Sequence, residues 1–524
     1  MITDTTQPWQ RLSGRIIWVD LVQVLVTQLP LIIVVLLINA EPQAGQLWPL
    51  IALAAFGLIG AAADAVRWLV TRYRITPSHL ELKTGVVFRQ HRSIQRDRIR
   101  SIDTEAKLRH RLARLRIVTI GAGQQATTNE AAIALDALTA HDARALRERL
   151  LTTDVEHTIA APDSDASTPQ TEPEESDRDV PLRVFAKFRP SWVVYNIFNI
   201  WAYVVAVGLV FGGWWLLSAV GIDPTGWVIG LADWKDIGWL GTSLLAVAAV
   251  GIVGVVGMIV SYFTEYWNFE LARVRGPVGT ELRTTQGLFT TREVNRDEGR
   301  IRGYQLSQPL FWRWLGVTDT YVITTGLNLW SMAQPAAILP RVPWHVAHRT
   351  TAAILAPQSS PFEAALTKHP RAALRRRLWW ATGSTLLIAA VLSLLIIEDA
   401  IGAVWLWWPA VFWPLALGGA VVAYRALGHT ITGRYVVLRS GLMNRSTDAV
   451  QRDAVSTVVI RESLFQRRLG LQTVSAMSAA GYGSYAALDM DAKQALAFAS
   501  QAAPGILDEF LVETTQDDSS VVSA

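Results

Sequence analysis

Six apolar runs, each long enough to cross a bilayer as a helix, constrain this chain more than any other feature: about 16–38, 47–70, 192–220, 237–263, 378–397 and 403–427. Hydrocarbon about 30 Å thick takes roughly 20 apolar residues in a helix, since backbone polar groups in lipid must be satisfied within the segment. The runs come as three pairs, which predicts three transmembrane hairpins. A mean hydropathy of +0.26 and 22 Trp agree with a membrane class. The polar start, Met1 to Gln10, lacks an Arg-rich region and a small-residue cleavage site, so the first run reads as a retained span rather than a signal peptide.

Charge placement predicts orientation. The loop within each pair is poor in cations: 39–46 and 398–402 have none, and 221–236 has only Lys235. The opposite ends carry Arg11, Arg15, Arg67, Arg72, Arg74, Arg183, Lys187, Arg189, Arg273, Arg275, Arg371, Arg375, Arg376, Arg377 and Arg425. The positive-inside rule then places both termini and the large soluble segments in the cytoplasm. Trp residues gather at both expected interfaces, as Trp48, Trp214 and Trp405 do at the outer one and Trp68, Trp192 and Trp380 at the inner one, where an amphipathic ring is at home. Asp20 and Asp64 intrude furthest into the first hairpin at similar depth, beside Arg67, and read as a local ion pair rather than a proton relay.

Each hairpin is followed by the same order of signals. A Gly turn with a short apolar run (Gly85-Val86-Val87-Phe88, Gly287-Leu288-Phe289, Gly441-Leu442-Met443) precedes Gln95-Arg96-Asp97, Asn295-Arg296-Asp297 and Gln451-Arg452-Asp453. Short helices then follow over 108–115, 310–317 and 464–471, the last two ending in Leu315-Gly316-Val317 and Leu469-Gly470-Leu471. The surrounding runs are β-like, and helices over 140–151, 344–355 and about 491–510 close the units. The expected fold is therefore an α + β membrane protein with six transmembrane helices, each hairpin followed by a small antiparallel β domain plugged by a C-terminal helix. The hairpins span 11–71, 190–265 and 376–428, and the soluble domains 72–152, 266–356 and 429–512. Residues 153–182 and 513–524, polar and acidic, are expected to be disordered because they cannot bury enough apolar surface to offset ordering entropy.

The order of hairpin, Gly turn, Gln-Arg-Asp, helix and Leu-Gly-Leu resembles the membrane-flanked bacterial pleckstrin-homology-like proteins of the YdbT type. The resemblance covers nearly the whole chain outside the linkers, and the second copy departs from it with Asn295 and a bulky Phe311-Trp312-Arg313-Trp314. It implies PH-like domains, a smaller single-domain membrane relative as partner, and a role in a hetero-oligomeric envelope complex linked to resistance against membrane-active peptides.

No catalytic residue, cofactor site or metal site can be nominated. The chain has no Cys, which excludes disulfides and thiolate chemistry. His345 and His348 lack a third ligand nearby, and Gly121-Ala122-Gly123 and Gly481-Tyr482-Gly483 read as hairpin turns rather than phosphate loops. The candidate interaction residues are Arg96, Asp97, Arg98, Arg100, Arg296, Asp297, Arg452 and Asp453. Arg96, Arg98 and Arg100 alternate and would share one face of a strand, where an anionic inner leaflet rewards each cation by about 1 kcal/mol. The competing reading, slightly preferred, is that the Arg-Asp pairs hold domain to domain. The basic residues cluster beside the spans without a recognition-helix pattern, so nucleic acid is not an expected partner. The sequence points to a non-catalytic scaffold in a bacterial cytoplasmic membrane that binds lipids or membrane proteins. A transporter or channel for a peptide or lipid, and a lipid-processing enzyme, are the rival readings.

Overall fold

The computed structural model describes residues 8–19, 22–23, 26, 44–85, 89–96, 99, 101–121, 133–151, 180–197, 200–219, 223, 226, 234–276, 279–325 and 336–506. The chain divides into two compact units, Met1–Gly299 and Arg300–Ala524, each an α + β assembly of antiparallel sheets. Most of the first apolar run, residues 153–179 and 513–524 of the polar linkers, Asp20, Asp97, Arg98 and Arg100 lie outside the described residues.

In the first unit, strands β1 (Gln10–Arg11), β2 (Arg72–Ile75), β3 (His79–Thr84) and β4 (Gln90–Gln95) form one sheet in that order. A second sheet has seven strands: β5 (Ser101–Ala106), β6 (Leu115–Gly121) and β7 (Ile133–Thr139), then β8 (Arg183–Lys187), β9 (Glu270–Arg275), β10 (Thr280–Gln286) and β11 (Thr291–Asp297). Its order is β7-β6-β5-β11-β10-β9-β8, so strands on either side of the second pair of apolar runs share one sheet. The joint is the antiparallel pairing of β5 with β11, with Ala106 opposite Thr291 and Thr104 opposite Glu293.

The second unit uses the same device. Strands β12 (Ile301–Pro309), β13 (Val317–Thr324) and β14 (Ala337–Pro343) meet β15 (Gly428–Thr432), β16 (Tyr435–Ser440) and β17 (Asn444–Gln451) in the order β14-β13-β12-β17-β16-β15. Here β12 pairs with β17 from Gly303 opposite Val450 to Pro309 opposite Asn444. A last meander, β18 (Thr457–Arg461), β19 (Leu471–Met477) and β20 (Ser484–Asp491), forms a separate three-stranded sheet.

The cores explain why meanders pack face to face. Alternating residues Leu80, Leu82 and Ile94 meet Ile102, Val118, Ile120, Ile133 and Leu135, and the helix Ala140–Leu151 lays Ala143, Leu146 and Leu150 across them. A period of two on the strands and of three to four on the helix puts these side chains on inward faces. The same construction recurs with Val436, Leu438 and Val450 against Val474, Ala476, Tyr485 and Ala487, closed by Ala495, Phe498, Ala499 and Ala502 of the helix Ala492–Ala502. That helix stops short of the expected limit near 510, and Gly505 just beyond it adopts φ +83.

The chain enters and leaves the apolar helices from neighbouring strands. β1 pairs with β2, β8 pairs with β9, and Thr367 bridges His429 of β15, each pair flanking an apolar segment. Among the described residues three helices are long and apolar enough to cross a membrane, Leu240–Tyr266, Arg371–Ile397 and Ala403–Arg425. The helices Ala44–Val70 and Ile200–Ala219 occupy two of the other predicted runs. The two legs of the third hairpin are tied to each other: Tyr424 donates through its hydroxyl to the His369 carbonyl at 2.9 Å, just before the first leg, and Trp413 Nε1 to Thr382 Oγ1 at 3.3 Å between the two helices.

The glycine turns have a backbone cause. Gly85, Gly287 and Gly441 adopt φ of 104°, 111° and 114°, a region costly for residues with a Cβ. The Gly287 turn is seated on the end of its apolar helix, with Gly287 N donating to Trp267 O and Leu288 N to Thr264 O, both at 2.8 Å. Gly303 serves a different purpose, because a Cβ there would stand 2.2 Å from the Ala449 carbonyl oxygen across the β12–β17 joint. Gly303→Val is therefore expected to force the strands apart at a cost of about 1–3 kcal/mol. A thermal midpoint in detergent equal to the parent's would show that the joint does not need that close approach.

Candidate functional site

The recurring Arg-Asp motif lies where the chain turns from one meander into the next. Arg452–Ala454 is a single 3-10 turn between β17 and β18, with Val455 N bonded to Arg452 O at 3.0 Å and Arg452 N to Arg434 O at 2.8 Å. Arg96 makes the matching pair of bonds, its N–H to Ser78 O at 3.0 Å and its carbonyl to Ile99 N at 3.0 Å. The Arg96 guanidinium donates to Pro77 O at 3.2 Å and also to the Arg149 carbonyl in the last turn of the closing helix. A cation there satisfies an orphan carbonyl and complements the helix dipole. Arg296 is buried on β11 and donates to Thr284 Oγ1 at 2.7 Å, and Asp297 accepts from Gly299 N at 2.8 Å. Asp453 faces Arg434 at 4.0 Å. Arg96 and Arg452 thus make bonds at the corner between meanders, whereas Arg296 ties β11 to β10.

A polar cluster that the sequence reading did not single out lies at the base of the third hairpin. Asp489 sits on β20 at a bulge, with φ 59°, and its side chain is fully buried. Its carboxylate binds Arg376 and, at 2.5 Å, Arg377, both from the first turns of the helix Arg371–Ile397. Gln466 Nε2 of the short helix Leu464–Arg468 adds a bond to Oδ1 at 2.8 Å. Two guanidiniums and an amide around one buried carboxylate join the apolar helix to the sheet by charge-assisted bonds. Arg376 and Arg377 look like topology anchors in the sequence; the one local hint of Asp489 is an acid set between the apolar Leu488 and Met490 of β20.

Two histidines complete the cluster. His369 Nδ1 lies 3.3 Å from Asp489 O, and His429 Nδ1 lies 3.0 Å from His369 Nε2, so one ring must donate and the other accept. Burial pushes the His429 imidazole down to about 4, reinforced by His369, and burial also lowers His369. Both rings are therefore neutral at pH 7. The matching bulge in β7 carries Asp136, lowered chiefly by its bond with His110, which it faces at 3.5 Å.

Beside this cluster opens a pocket of about 550 Å³, lined by Trp344, Phe362, Leu366, Lys368, Tyr424, Arg425 and Arg439 among others. Three cations and several aromatic or aliphatic groups face it, and no carboxylate is among its lining residues. Burial holds the Arg439 guanidinium below its ordinary value. Arg445 is pushed down to about 10 by burial and by Arg439 and Arg313. Its guanidinium bonds Gln308 Oε1, a neutral acceptor. Such an excess of positive charge, exposed at Lys368 and Arg425 and half-buried at Arg439, favours an anion carrying an apolar body. Nearby, exposed Phe465 packs edge-on to Trp380 at 6.4 Å, which sets the short helix against the N-terminal part of the apolar helix Arg371–Ile397. His345 and His348 form no metal cluster: His348 faces Glu363 at 3.9 Å, and no group of three metal-ligating side chains occurs among the described residues.

Removing a partner from a buried ion pair costs about 3–5 kcal/mol, so Asp489→Asn is expected to lower the thermal midpoint while Asp453→Asn leaves it within error. Equal effects would mean that Asp489 does not fix the hairpin. The depressed histidines bind fewer protons folded than unfolded, so their contribution is complete above about pH 6.5 and is lost as pH falls toward 4. Thermal unfolding from pH 7 to 4.5 should show a steeper loss for the parent than for His429→Phe. Parallel curves would dismiss the dyad as the acid-sensitive element.

The Bacterial PH domain family matches residues 24–153 and 384–504. The chain is also similar to the transmembrane protein YdbT of Bacillus subtilis (strain 168), with 20% identity over 423 residues, 79% of this chain and 80% of that protein. No solved structure matches significantly. The paired strands, closing helices and apolar spans described above, together with these two likenesses, mark the chain as similar to the membrane-associated bacterial PH-domain proteins of the YdbT type.

Proposed function

We propose that the protein is a non-catalytic scaffold of a bacterial cytoplasmic membrane, with six spans in three hairpins and three cytoplasmic PH-like domains that gather anionic lipid and membrane-protein partners. The observation that carries this reading is the pocket lined by Lys368, Arg425 and Arg439 at the foot of the third hairpin, cationic at its rim and aromatic in its wall. A phospholipid headgroup on the inner leaflet offers the matching charge, and its acyl chains remain in the bilayer. The motif arginines support the scaffold half of the reading, because Arg96 and Arg296 are engaged in bonds that hold strands and helix together.

A smaller single-domain PH-like membrane protein is the partner this reading favours, within an envelope complex that protects against membrane-active peptides. The likeness to YdbT is consistent with that assignment but carries only the name of a transmembrane protein.

Three cations worth about 1 kcal/mol each near an anionic surface correspond to roughly a hundredfold in affinity at low salt. Native mass spectra of the protein extracted in mild detergent should therefore show retained anionic phospholipid that a Lys368→Ala, Arg425→Ala, Arg439→Ala variant loses. Equal retention would rule out the pocket as the lipid site. Because the chain has no Cys, single cysteines can report topology. A cysteine at Ala400 should react with an impermeant thiol reagent in intact cells and one at Ser456 only after lysis; the reverse pattern would invert the orientation.

A further inference from the structure

Among the described residues, two strands of this fold have the chemistry of a joint and one open edge each. Each internal joint is made by the edge strand of a three-stranded meander pairing antiparallel with the edge strand of another: β5 with β11, and β12 with β17. The strand that corresponds to β5 and β12 in the last meander is β18, and the one that corresponds to β11 and β17 in the first is β4. Among the described residues β18 pairs only with β19 and β4 only with β3, so each ends its sheet.

Apart from the charges of Arg92 and Arg461, neither edge carries a feature that would block pairing. β4 and β18 contain no Pro, and their registers with β3 and β19 run without a bulge. Natural edges usually avoid pairing by such devices, because a row of open N–H and C=O groups is a template for another strand. β18 presents Ile460, 37% exposed, and its neighbour helix presents Leu464 and Phe465, all at the position where β12 and the helix Leu310–Trp314 meet β17. In that internal joint the helix adds a bond of its own, Leu310 N to Met443 O at 2.7 Å. The other joint is supplemented likewise, by Arg111 Nη1 on Leu288 O at 2.7 Å.

We infer that β18 of one copy of this chain pairs antiparallel with β4 of a second copy, repeating between molecules the joint that the chain makes twice within itself. The register follows from the internal joints. Gly303 stands 13 residues before Gly316 as Thr457 does before Gly470, and Val450 stands two before Arg452 as Ile94 does before Arg96. Carrying over the β12–β17 register therefore sets Thr457 opposite Ile94, Val458 opposite Ser93 and Ile460 opposite His91. The β5–β11 register carried over in the same way slides the pair by two residues, Ile460 opposite Ser93, and a slide of two keeps every side chain on its face. The contact is head-to-tail, since the two surfaces differ, so it propagates as a row or closes as a ring rather than stopping at a dimer. Continuity with the two internal joints is what favours a second copy over an unrelated strand.

The absence of Cys makes the test direct. One copy carries Ser93→Cys and a differently tagged copy carries Val458→Cys or Ile460→Cys; all three side chains are small or partly exposed, and folding is checked by thermal unfolding. The copies are mixed in mild detergent, reconstituted into bilayers and oxidised. The expected result is a disulfide-linked species carrying both tags, at least tenfold more abundant than the products formed when either variant is oxidised alone. A link at position 458 selects the β12–β17 register and one at 460 the other. No link at either position from folded variants overturns the inference. So does a doubly substituted chain, Ser93→Cys with Val458→Cys, that closes on itself at any dilution, or a different protein crosslinked to the edge in native membranes. Loss of lipid binding leaves this result untouched, so the two readings fail separately.

Discussion

An exposed β-strand edge must find a partner or be blunted, and this chain satisfies that constraint by joining meanders that the sequence keeps far apart. β5 and β11 are separated by an apolar helical segment and its loop, and so are β12 and β17, yet each pair is bonded into one sheet. Pairing strands so distant costs loop-closure entropy, which rises only slowly with length. The ladder from Gly303 to Pro309 against Asn444 to Val450 offsets it with a continuous run of backbone bonds. The close approach is possible because Gly303 has no side chain to hold the strands apart.

The corners follow from the joints. A chain that finishes one meander must turn sharply to begin the next on another sheet, and the Arg-Asp motif occupies that turn. Arg96 reaches from it to the Pro77 turn and to the end of the closing helix, so a single guanidinium ties three elements. The first strand after each apolar pair is bordered by the segment that precedes the pair, as β1 borders β2 and β8 borders β9. Both legs of a hairpin therefore rise from adjacent strands. In the last hairpin the buried Asp489 fixes that geometry with Arg376 and Arg377, and the neutral His369–His429 pair fills the space beneath.

Polar groups at the foot of that hairpin divide between structure and recognition. Asp489 is fully enclosed and paired, so its charge is spent within the fold. Lys368, Arg425 and Arg439 instead face a pocket with no acid in its lining, and burial of Arg439 makes its charge costly until an anion arrives. The difference is one of partners rather than of residue type, since arginines serve both roles at the foot of the same hairpin.

Much of this was legible in order along the chain. Apolar length marked the runs that become the helices Ala44–Val70, Ile200–Ala219, Arg371–Ile397 and Trp407–Arg425, and the closing helices Ala140–Leu151 and Trp344–Leu355 fall where their signals predict. Gly85, Gly287 and Gly441 were readable as turns because only glycine adopts their φ cheaply. The strands β1, β8 and β15 were not readable, being short and defined by what they pair with rather than by pattern. Nor were the joints β5–β11 and β12–β17, because the edge a strand selects depends on three-dimensional proximity and leaves no local periodicity. The Asp489 cluster was hidden for the same reason: Arg376, Arg377, Gln466 and Asp489 are over a hundred residues apart at the extremes and look ordinary in isolation. Sequence alone determined which segments are apolar, which turn and which recur, since those are local properties of side chains and backbone. Only the tertiary structure decided which edges meet and which charges are enclosed, since both depend on distances that the order of residues does not specify.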